Sequence, residues 1–386
     1  MNRRCLLAAG CACGAGLFAG RGWAQVGLDY VPPQRFERPQ LETDEGGLWA
    51  MMDREEKALR RSALLLRDAR LKAYVQEIAC RLGGEHCPDI RIHLVRTPLF
   101  NASMAPNGMM QIWSGLLLRV DNEAQLAAVI GHEIGHYLQR HSVDRLRDIK
   151  ARSAFGQFLG FFGLAGAVGQ IAVLASAFAY GRDHERDADL IGAVLMHKAG
   201  YDVGEASRVW ANLLAEVNAR NGKGAEQSSP LFATHPAAPE RREALERLTV
   251  ALPGGVTGAE AYAEHTAGFL DEWLQDEVKR GQHAESIVLL SRLIARGTAV
   301  GLMHFYRGEV YRLRNDDGDQ QLALADYLTA AGSASPPPPA FRGIGLIARQ
   351  RGDGAAARQA FERYLELAPE APDAAFIKAY IAESNS

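Results

Sequence analysis

Two histidines and a glutamate lie in the sequence His132-Glu133-Ile134-Gly135-His136. On a helix, residues four apart share a face, so His132 and His136 can both bind one metal ion. Glu133 is rotated by about 100° on the same helix, where its carboxylate can reach a metal-bound water without being a ligand. Zinc lowers the pKa of such a water to about 7, and the glutamate can take its proton as hydroxide attacks a carbonyl. The spacing therefore predicts hydrolytic metal chemistry.

The residues around this motif predict the helix that the chemistry requires. Asp121-Asn122-Glu123 supplies a cap for the free N–H groups and acidic side chains at the positive helix end. Apolar residues then recur at helical spacing and mark a buried face; they are Leu126, Val129, Ile130, Ile134, Tyr137 and Leu138. Gly131 and Gly135 each destabilise a helix by about 1 kcal/mol. We therefore expect another element to pack very close to them.

A catalytic zinc needs a third protein ligand and an open fourth position. Downstream, Tyr180-Gly181-Arg182 begins a second helical pattern that contains Glu185 and Asp189. These two carboxylates are four residues apart on one face. One can therefore bind the metal while the other orients a ligand imidazole from behind.

The HEIGH sequence followed by YxRxxExxAD resembles the zinc metallopeptidase family that includes HtpX, the CAAX-prenyl endopeptidases and BepA. The resemblance covers most of residues 90–245. It implies that His132, His136 and Glu185 bind one zinc ion per chain. It also implies that Glu133 is the general base and that Asp189 is a supporting carboxylate.

A further histidine, His235, precedes Pro236 and Arg241 in a His-Pro…Arg sequence that the family places beside the zinc. With the arginine it can stabilise the oxyanion of a tetrahedral intermediate. The resemblance to BepA implies another role, in which the histidine occupies the open metal position and holds the enzyme latent. The Gly/Ser-rich loop of residues 221–239 can swing between such positions. We favour a role beside the zinc over a surface histidine and leave open the choice between helper and latch.

Ahead of the motif, the sequence predicts helix over residues 48–82, ended by Gly83-Gly84. Residues 90–94 alternate apolar and polar side chains, which indicates a half-buried strand with His93 on its exposed face. Residues 109–113 predict a second strand after a turn.

The family's substrate-binding strand corresponds to Asn101, Ala102 and Ser103. By resemblance, an extended peptide binds there as an added β-strand. Ser103 and Asn107 depart from the family pattern, which leaves the preferred peptide side chains open.

Residues 1–24 have the features of an export signal, with Arg3-Arg4, an apolar run and small residues before Gln25. A twin-arginine route and the general secretory route both fit, whereas lipidation at Cys11 is disfavoured because few apolar residues precede it. The formal net charge is −3 without a basic block, which argues against nucleic-acid binding. Export and the resemblance together predict a periplasmic location.

Cys80 and Cys87 remain once residues 1–24 are removed. They flank a short turn that contains glycines, which in an oxidising compartment predicts a disulfide. Two reduced core cysteines are the alternative.

Residues 153–180 contain no charged residue and could form a membrane helix, which needs about 20 apolar residues. A single span would separate His132 from Glu185, and two spans would need about 40 residues. A buried or interfacial helical hairpin is left. We favour the buried one and keep peripheral membrane contact as the alternative.

The last third of the chain repeats. One unit matches the tetratricopeptide spacing at Phe341, Ile344, Gly345, Ala348, Ala357, Phe361, Tyr364 and Pro369. A second unit fits at Gly308, Tyr311, Ala323, Tyr327 and Ala330. Helix pairs of this type stack into a solenoid whose concave face binds peptides or partner proteins. Residues 253–258 predict the linker before it.

These features predict an α+β protein. Residues 1–24 are the signal, residues 25–255 a mainly helical zincin-like metallopeptidase domain with a small sheet, and residues 256–386 an all-α tetratricopeptide-like solenoid. The resemblance to BepA implies a zinc endopeptidase that cleaves unfolded or misassembled proteins in envelope quality control, with the repeats recruiting clients or partners. The alternative is a chaperone or adaptor with structural zinc and minor protease activity. Glu133 argues against it, because a structural site needs no base and is usually closed by a fourth protein ligand.

Overall fold

The computed structural model describes residues 27–151, 180–220, 235 and 239–383. The predicted signal, nearly all of the predicted apolar hairpin and most of the loop 221–239 lie outside the described residues. The described chain is mainly helical and contains one three-stranded sheet, which confirms the α+β class.

The described helices before residue 258 are α1 (Asp44–Leu59), α2 (Ala69–Gly83), α3 (Ser114–Arg119), α4 (Glu123–Leu138), α5 (His141–Ala151), α6 (Arg182–Lys198), α7 (Gly204–Asn218) and α8 (Pro239–Ala251). The later ones are α9 (Ala259–Thr266), α10 (Leu270–Lys279), α11 (His283–Arg296), α12 (Val300–Arg314), α13 (Asp319–Ala331), α14 (Pro338–Gln350), α15 (Gly354–Leu367) and α16 (Ala374–Glu383). In this described part of the chain, no helix combines the length and apolar character needed to cross a bilayer.

The sheet contains β1 (Arg91–Val95), β2 (Ala102–Met104) and β3 (Met109–Trp113). β3 is central, parallel to β1 and antiparallel to β2. Gly108 makes the turn into β3 with φ +85°, and a Cβ there would lie 2.1 Å from the carbonyl oxygen of Asp89. Only glycine fits this approach, so the predicted turn is confirmed.

The helix predicted over residues 48–82 is interrupted, because the chain breaks between α1 and α2. In the break, the Leu66 N–H donates to the carbonyl oxygen of Leu94 at 2.9 Å. The segment thereby satisfies backbone groups on the edge of β1. The apolar spacing predicts helix correctly within each half. It does not show that backbone groups of β1 require partners from the segment between the halves.

His93 is buried, not exposed as predicted, because α1 covers that face of the sheet. Its Nε2 lies 2.9 Å from Glu56 Oε1, and Glu56 also accepts from the Arg91 and Arg60 side chains. Burial alone would raise the pKa of Glu56, but these partners outweigh it and lower the pKa. His93 is therefore part of a buried ion-pair cluster that holds α1 on the sheet.

The predicted motif helix is α4, and it is buried along its whole length. Asn122 caps it by accepting a hydrogen bond from the Gln125 N–H at 2.9 Å. Since α4 is enclosed on all sides, its polar side chains must find partners inside the protein.

Glycines set the crossing of α4 and α6. A Cβ on Gly131 would lie 3.2 Å from the carbonyl oxygen of Gly192, and a Cβ on Gly135 would lie 3.0 Å from the backbone of Ala188. A Cβ on Gly192 would lie 2.9 Å from the backbone nitrogen of His132. The predicted close packing at Gly131 and Gly135 is thus confirmed, and it holds the two motif helices at short range. Helices α7 and α8 pack beside this crossing.

Cys80 and Cys87 form a disulfide between the end of α2 and the turn that follows it. The predicted linker, residues 253–258, is bound to the preceding chain. The Val256 N–H donates to the Gly200 carbonyl, and the Ala124 N–H donates to the Thr257 carbonyl, both at 2.9 Å. The linker is thereby fastened directly to the first turn of α4.

The helices after residue 258 pack on their neighbours in the chain, most extensively α12 with α13 and α14 with α15. Small residues meet aromatic rings within these two pairs. A Cβ on Gly308 would lie 2.7 Å from the Tyr327 ring, and one on Gly345 would lie 2.4 Å from the Phe361 ring. These four residues are among those that the repeat pattern picks out.

Helices α10 and α11 pack on the chain before residue 258. One hydrophobic core contains residues of these helices and of that preceding part. Arg119 lies between Glu216 of α7 and Glu277 of α10, at 2.7 Å and 2.8 Å. Arg292 of α11 donates to Glu216 Oε1 at 2.9 Å. We call these four residues the buried junction.

Candidate metal centre

The crossing of α4 and α6 brings the three predicted ligands together. The Nε2 atoms of His132 and His136 are 3.1 Å apart. Glu185 Oε1 lies 3.4 Å from His136 Nε2, and Glu185 Oε2 lies 3.6 Å from His132 Nε2. All three side chains are buried. Burial lowers the pKa of His136 well below its ordinary value, which leaves the imidazole neutral.

His235 lies beside these three residues. Its Nδ1 is 3.1 Å from His132 Nε2 and 3.0 Å from Glu185 Oε1, and its Nε2 is 3.4 Å from Glu133 Oε1. Burial alone would lower the pKa of His235, but Glu185 and Glu133 outweigh it and raise the pKa. Metal binding displaces protons from such a ligand. By the distances above, Nδ1 of His235 faces the predicted ligands and Nε2 faces the predicted base.

The four side chains suit a metal ion. One potential ligand atom from each of His132, His136, Glu185 and His235 lies within 4.8 Å of the others. Ligand atoms about 2.0–2.1 Å from a tetrahedral ion are about 3.3 Å apart. The contacts that His132 and Glu185 make with each other and with the two other histidines are 3.0–3.6 Å long. Each of these contacts between lone pairs needs a proton or a cation, so the cluster can hold a metal.

Asp189 and Arg241 support the ligands from behind. Asp189 Oδ1 lies 2.9 Å from His132 Nδ1, and Arg241 donates to both Asp189 oxygens at 2.8 Å. Burial alone would raise the pKa of Asp189, but Arg241 and His132 outweigh it and lower the pKa. Asp189 is therefore ionised and keeps His132 with Nε2 toward the centre.

The oxyanion role predicted for Arg241 does not suit its contacts. Besides binding Asp189, its Nη1 lies 2.7 Å from Glu185 Oε2, and its guanidinium stacks 4.7 Å from the Trp210 ring centroid. All three guanidinium nitrogens are thus turned toward carboxylates. Arg241 balances the charge of Glu185 and Asp189.

Glu133 lies beside the ligand set and outside it. Its Oε2 accepts a hydrogen bond from the Met104 N–H of β2 at 3.1 Å. Burial raises the pKa of Glu133. A raised pKa brings a carboxylate closer to the neutral range in which general bases work best.

The predicted substrate strand forms part of β2. β2 pairs with β3 along one edge, and the Met104 N–H to Glu133 shows that the other edge faces the centre. Asn101 and Ala102 are buried, and Ser103 is half-buried. An extended peptide can therefore meet this edge through its backbone, with Ser103 as the more accessible side chain.

Three further residues surround the centre without having been assigned from the sequence. The Tyr180 ring stacks on His136 at 3.9 Å, and Trp210 meets His132 edge-on at 5.9 Å. His141 Nδ1 lies 2.9 Å from His136 Nδ1, and burial lowers the pKa of His141 to about 3. Tyr180 begins the second motif, which is a signal that could have identified it. The positions of Trp210 and His141 carry no such signal.

A hydrolytic metal centre differs from a purely structural one in keeping a base next to its ligands. Glu133 meets this criterion beside an HExxH histidine pair and a glutamate from a second helix. The fold and the centre thus indicate a metallopeptidase whose histidine pair and second-helix glutamate could hold the metal.

Comparison with known families agrees with this class. Residues 65–249 match the model of Peptidase family M48. The matched segment contains His132, Glu133, His136 and Glu185, so this part of the chain is similar to that family.

Several curated proteins are similar to this chain. It is 26% identical over 269 residues to the Beta-barrel assembly-enhancing protease of Escherichia coli (strain K12), a match covering 61% of this chain and 54% of that protein. It is 30% identical over 158 residues to the Mitochondrial metalloendopeptidase OMA1 of Arabidopsis thaliana, covering 41% and 31%. The match to Metalloendopeptidase OMA1, mitochondrial, of Homo sapiens is 29% over 201 residues, covering 47% and 38%. The chain thus spans about a third to a half of these relatives.

Proposed function

We propose that this protein is a zinc-dependent endopeptidase that hydrolyses peptide bonds of unfolded or misassembled proteins. The position of Glu133 carries the proposal, because this buried carboxylate lies next to the ligands and the β2 edge without joining the ligand set. A bound zinc would supply a Lewis acid for the carbonyl and would lower the pKa of a water. The names of the relatives, a protease and metalloendopeptidases, support the reaction class.

The chain's own residues have separate tasks in this mechanism. The edge of β2 that faces the centre holds the substrate extended through backbone hydrogen bonds. Because the Met104 N–H occupies Glu133 Oε2, Oε1 takes the proton of the attacking water and returns it to the leaving nitrogen. His132, His136 and Glu185 hold the ion.

We also propose that His235 is a latch. Its Nδ1 lies where a fourth ligand belongs, and catalysis needs that position open for water or substrate. His235 must therefore move away before turnover. The alternative, an oxyanion helper, requires the same side chain to return within hydrogen-bond reach of the substrate.

For the rest of the chain, we propose that residues 256–386 form a tetratricopeptide-like solenoid that recruits clients or protein partners. The helix pairs and the contacts of Gly308 with Tyr327 and of Gly345 with Phe361 support this. We propose export by residues 1–24 to the periplasm and a role in outer-membrane protein quality control. The Cys80–Cys87 disulfide and the similarity to the Beta-barrel assembly-enhancing protease support both. Peripheral membrane contact through residues 153–180 belongs to the same proposal.

The second candidate function is a chaperone or adaptor with structural zinc. The cluster of four protein side chains favours it, because structural zinc sites are usually closed by four protein ligands. In that case Glu133 would have no chemical task.

Glu133→Gln separates the two functions. We expect this variant to keep about one zinc per chain, because the base is not a ligand, while cleavage of a permanently unfolded protein such as casein falls at least about 100-fold. Metal analysis and a gel-based cleavage assay against wild type measure both. Cleavage by the variant at the wild-type rate would contradict the mechanism.

A further inference from the structure

His141 has no part in the mechanism above, yet it lies against a metal ligand. Its Nδ1 is 2.9 Å from His136 Nδ1, on the side of the ring opposite the centre. The His184 ring stacks on it at 4.1 Å with an angle of 21°. His141 is 1% exposed, so water cannot replace these contacts.

The backbone conformation just before His141 brings its ring to His136. Helix α4 ends at Leu138 and α5 begins at His141, and between them Arg140 has φ +58°. In a continuous helix, a residue five positions after His136 would point about 140° away from it. The left-handed residue instead reverses the chain and directs the His141 ring to the back of His136. Non-glycine residues seldom adopt this conformation.

Arg140 is fixed in this conformation by two segments outside the turn. It forms an ion pair with Glu45 of α1. Its guanidinium also lies 4.9 Å from the centroid of the Phe36 ring. A strained residue persists only where surrounding contacts determine it, so the turn is a built feature of the fold.

A contact between two imidazole Nδ1 atoms contains one hydrogen, so one ring donates and the other accepts. To present its Nε2 lone pair to a metal, His136 must carry its hydrogen on Nδ1 and donate it. His141 must then accept at Nδ1 and carry its own hydrogen on Nε2. Asp189 performs the corresponding task for His132.

We propose that His141 is a positioning residue that sets the tautomer and ring orientation of His136 for metal binding. This rests on the proposed metal function. Partners of this kind orient ligand imidazoles and raise their basicity. The two ligand histidines of α4 are thus supported differently, His132 by an ionised carboxylate and His136 by a neutral imidazole.

The test compares His141→Asn with His141→Leu, which introduce side chains of similar shape. The asparagine carbonyl oxygen can accept the hydrogen of His136 Nδ1, and the leucine cannot. The full chain is stripped of metal and titrated with Zn²⁺ alone against a chromophoric chelator. We expect His141→Leu to weaken zinc binding by about 10–100-fold and His141→Asn to keep at least about a third of wild-type affinity.

Leu146→Ala is the control for stability, because Leu146 is a buried apolar residue of the same helix α5. We expect it to lower the melting temperature of the metal-free protein while zinc affinity stays at the wild-type value. Equal affinities for the asparagine and leucine variants would overturn the proposal, as would an equal loss in Leu146→Ala. If wild type itself bound no zinc, the proposed function would fail as well, so the two failures are distinguishable.

Discussion

The metal centre and the buried junction are both clusters of buried charged residues, but they are balanced differently. In the junction, the guanidinium groups of Arg119 and Arg292 alternate with the carboxylates of Glu216 and Glu277 at 2.7–2.9 Å. Burial alone would raise the pKa of Glu277, but its arginine neighbours outweigh it and lower the pKa. Burial raises the pKa of Glu216 in spite of its two arginines, but every charged group of the junction has a protein partner of opposite charge.

In the metal centre, three imidazoles meet one carboxylate with their lone pairs directed at one another. Protein groups supply the supports behind the ligands, but each contact between the ligands needs a proton or a metal ion. Buried polar groups that satisfy one another stabilise a fold, whereas an incomplete set indicates a binding site. We therefore expect junction substitutions to change folding stability and centre substitutions to change metal binding.

The largest effect is expected from His132→Ala. It removes one of three ligands, while Asp189 keeps its contacts with Arg241. Removing a residue that only supports a ligand lowers metal affinity by up to about 100-fold. Zinc affinity should fall by more than that in His132→Ala, and cleavage should be lost. Metal titration measures the zinc affinity, and urea unfolding of the metal-free protein measures the folding stability. A large loss of metal-free stability with normal zinc affinity would remove the distinction drawn here.

The next effect is expected from Glu277→Ala. It leaves Arg119 in the buried junction with one carboxylate instead of two. Breaking a buried ion pair on one side destabilises a protein by about 3–5 kcal/mol, which urea unfolding measures. Zinc affinity of the folded variant should equal that of wild type.

The matched control replaces Arg119 and Glu277 together, by Met and Leu. Glu216 then keeps Arg292 and Arg280 keeps Glu285, so the double variant leaves no charge without a partner and should be more stable than Glu277→Ala. A double variant as unstable as the single one would show that packing rather than charge holds the junction.

The smallest effect is expected from His235→Ala, which tests whether the closed cluster is a regulated state. If about a tenth of the molecules have the latch open, its removal raises cleavage about tenfold. Initial rates on the same unfolded protein measure this. A fall of about a hundredfold would instead assign His235 as an oxyanion helper, and an unchanged rate would leave it without a role in catalysis.

Features that depend on local patterns were predictable from the sequence. The cap at Asn122, the helix around His132 and the close packing at Gly131 all follow from spacing and residue type. The strand of residues 109–113 has the predicted bounds. Each of these signals lies within one helix or one strand.

Features that depend on a single backbone torsion or on tertiary cover were not predictable. His93 is buried because α1 folds over the sheet, which its strand pattern cannot show. His141 reaches His136 only through the left-handed conformation of Arg140. The orientation of Arg241 toward Asp189 likewise depends on how α8 meets α6. The sequence placed these residues in the right region and could not supply their contacts.

The bound linker has a consequence for any chain held by the C-terminal helices. Thr257 is bonded to Ala124 in the first turn of α4, and Val256 to Gly200, so the chain that enters these helices is held against the motif helix. A polypeptide anchored on them would reach the centre after a constant contour length, at about 3.3 Å per extended residue. Scission would then fall at a set number of residues from the anchored segment, so the protein would act as a ruler for its substrates.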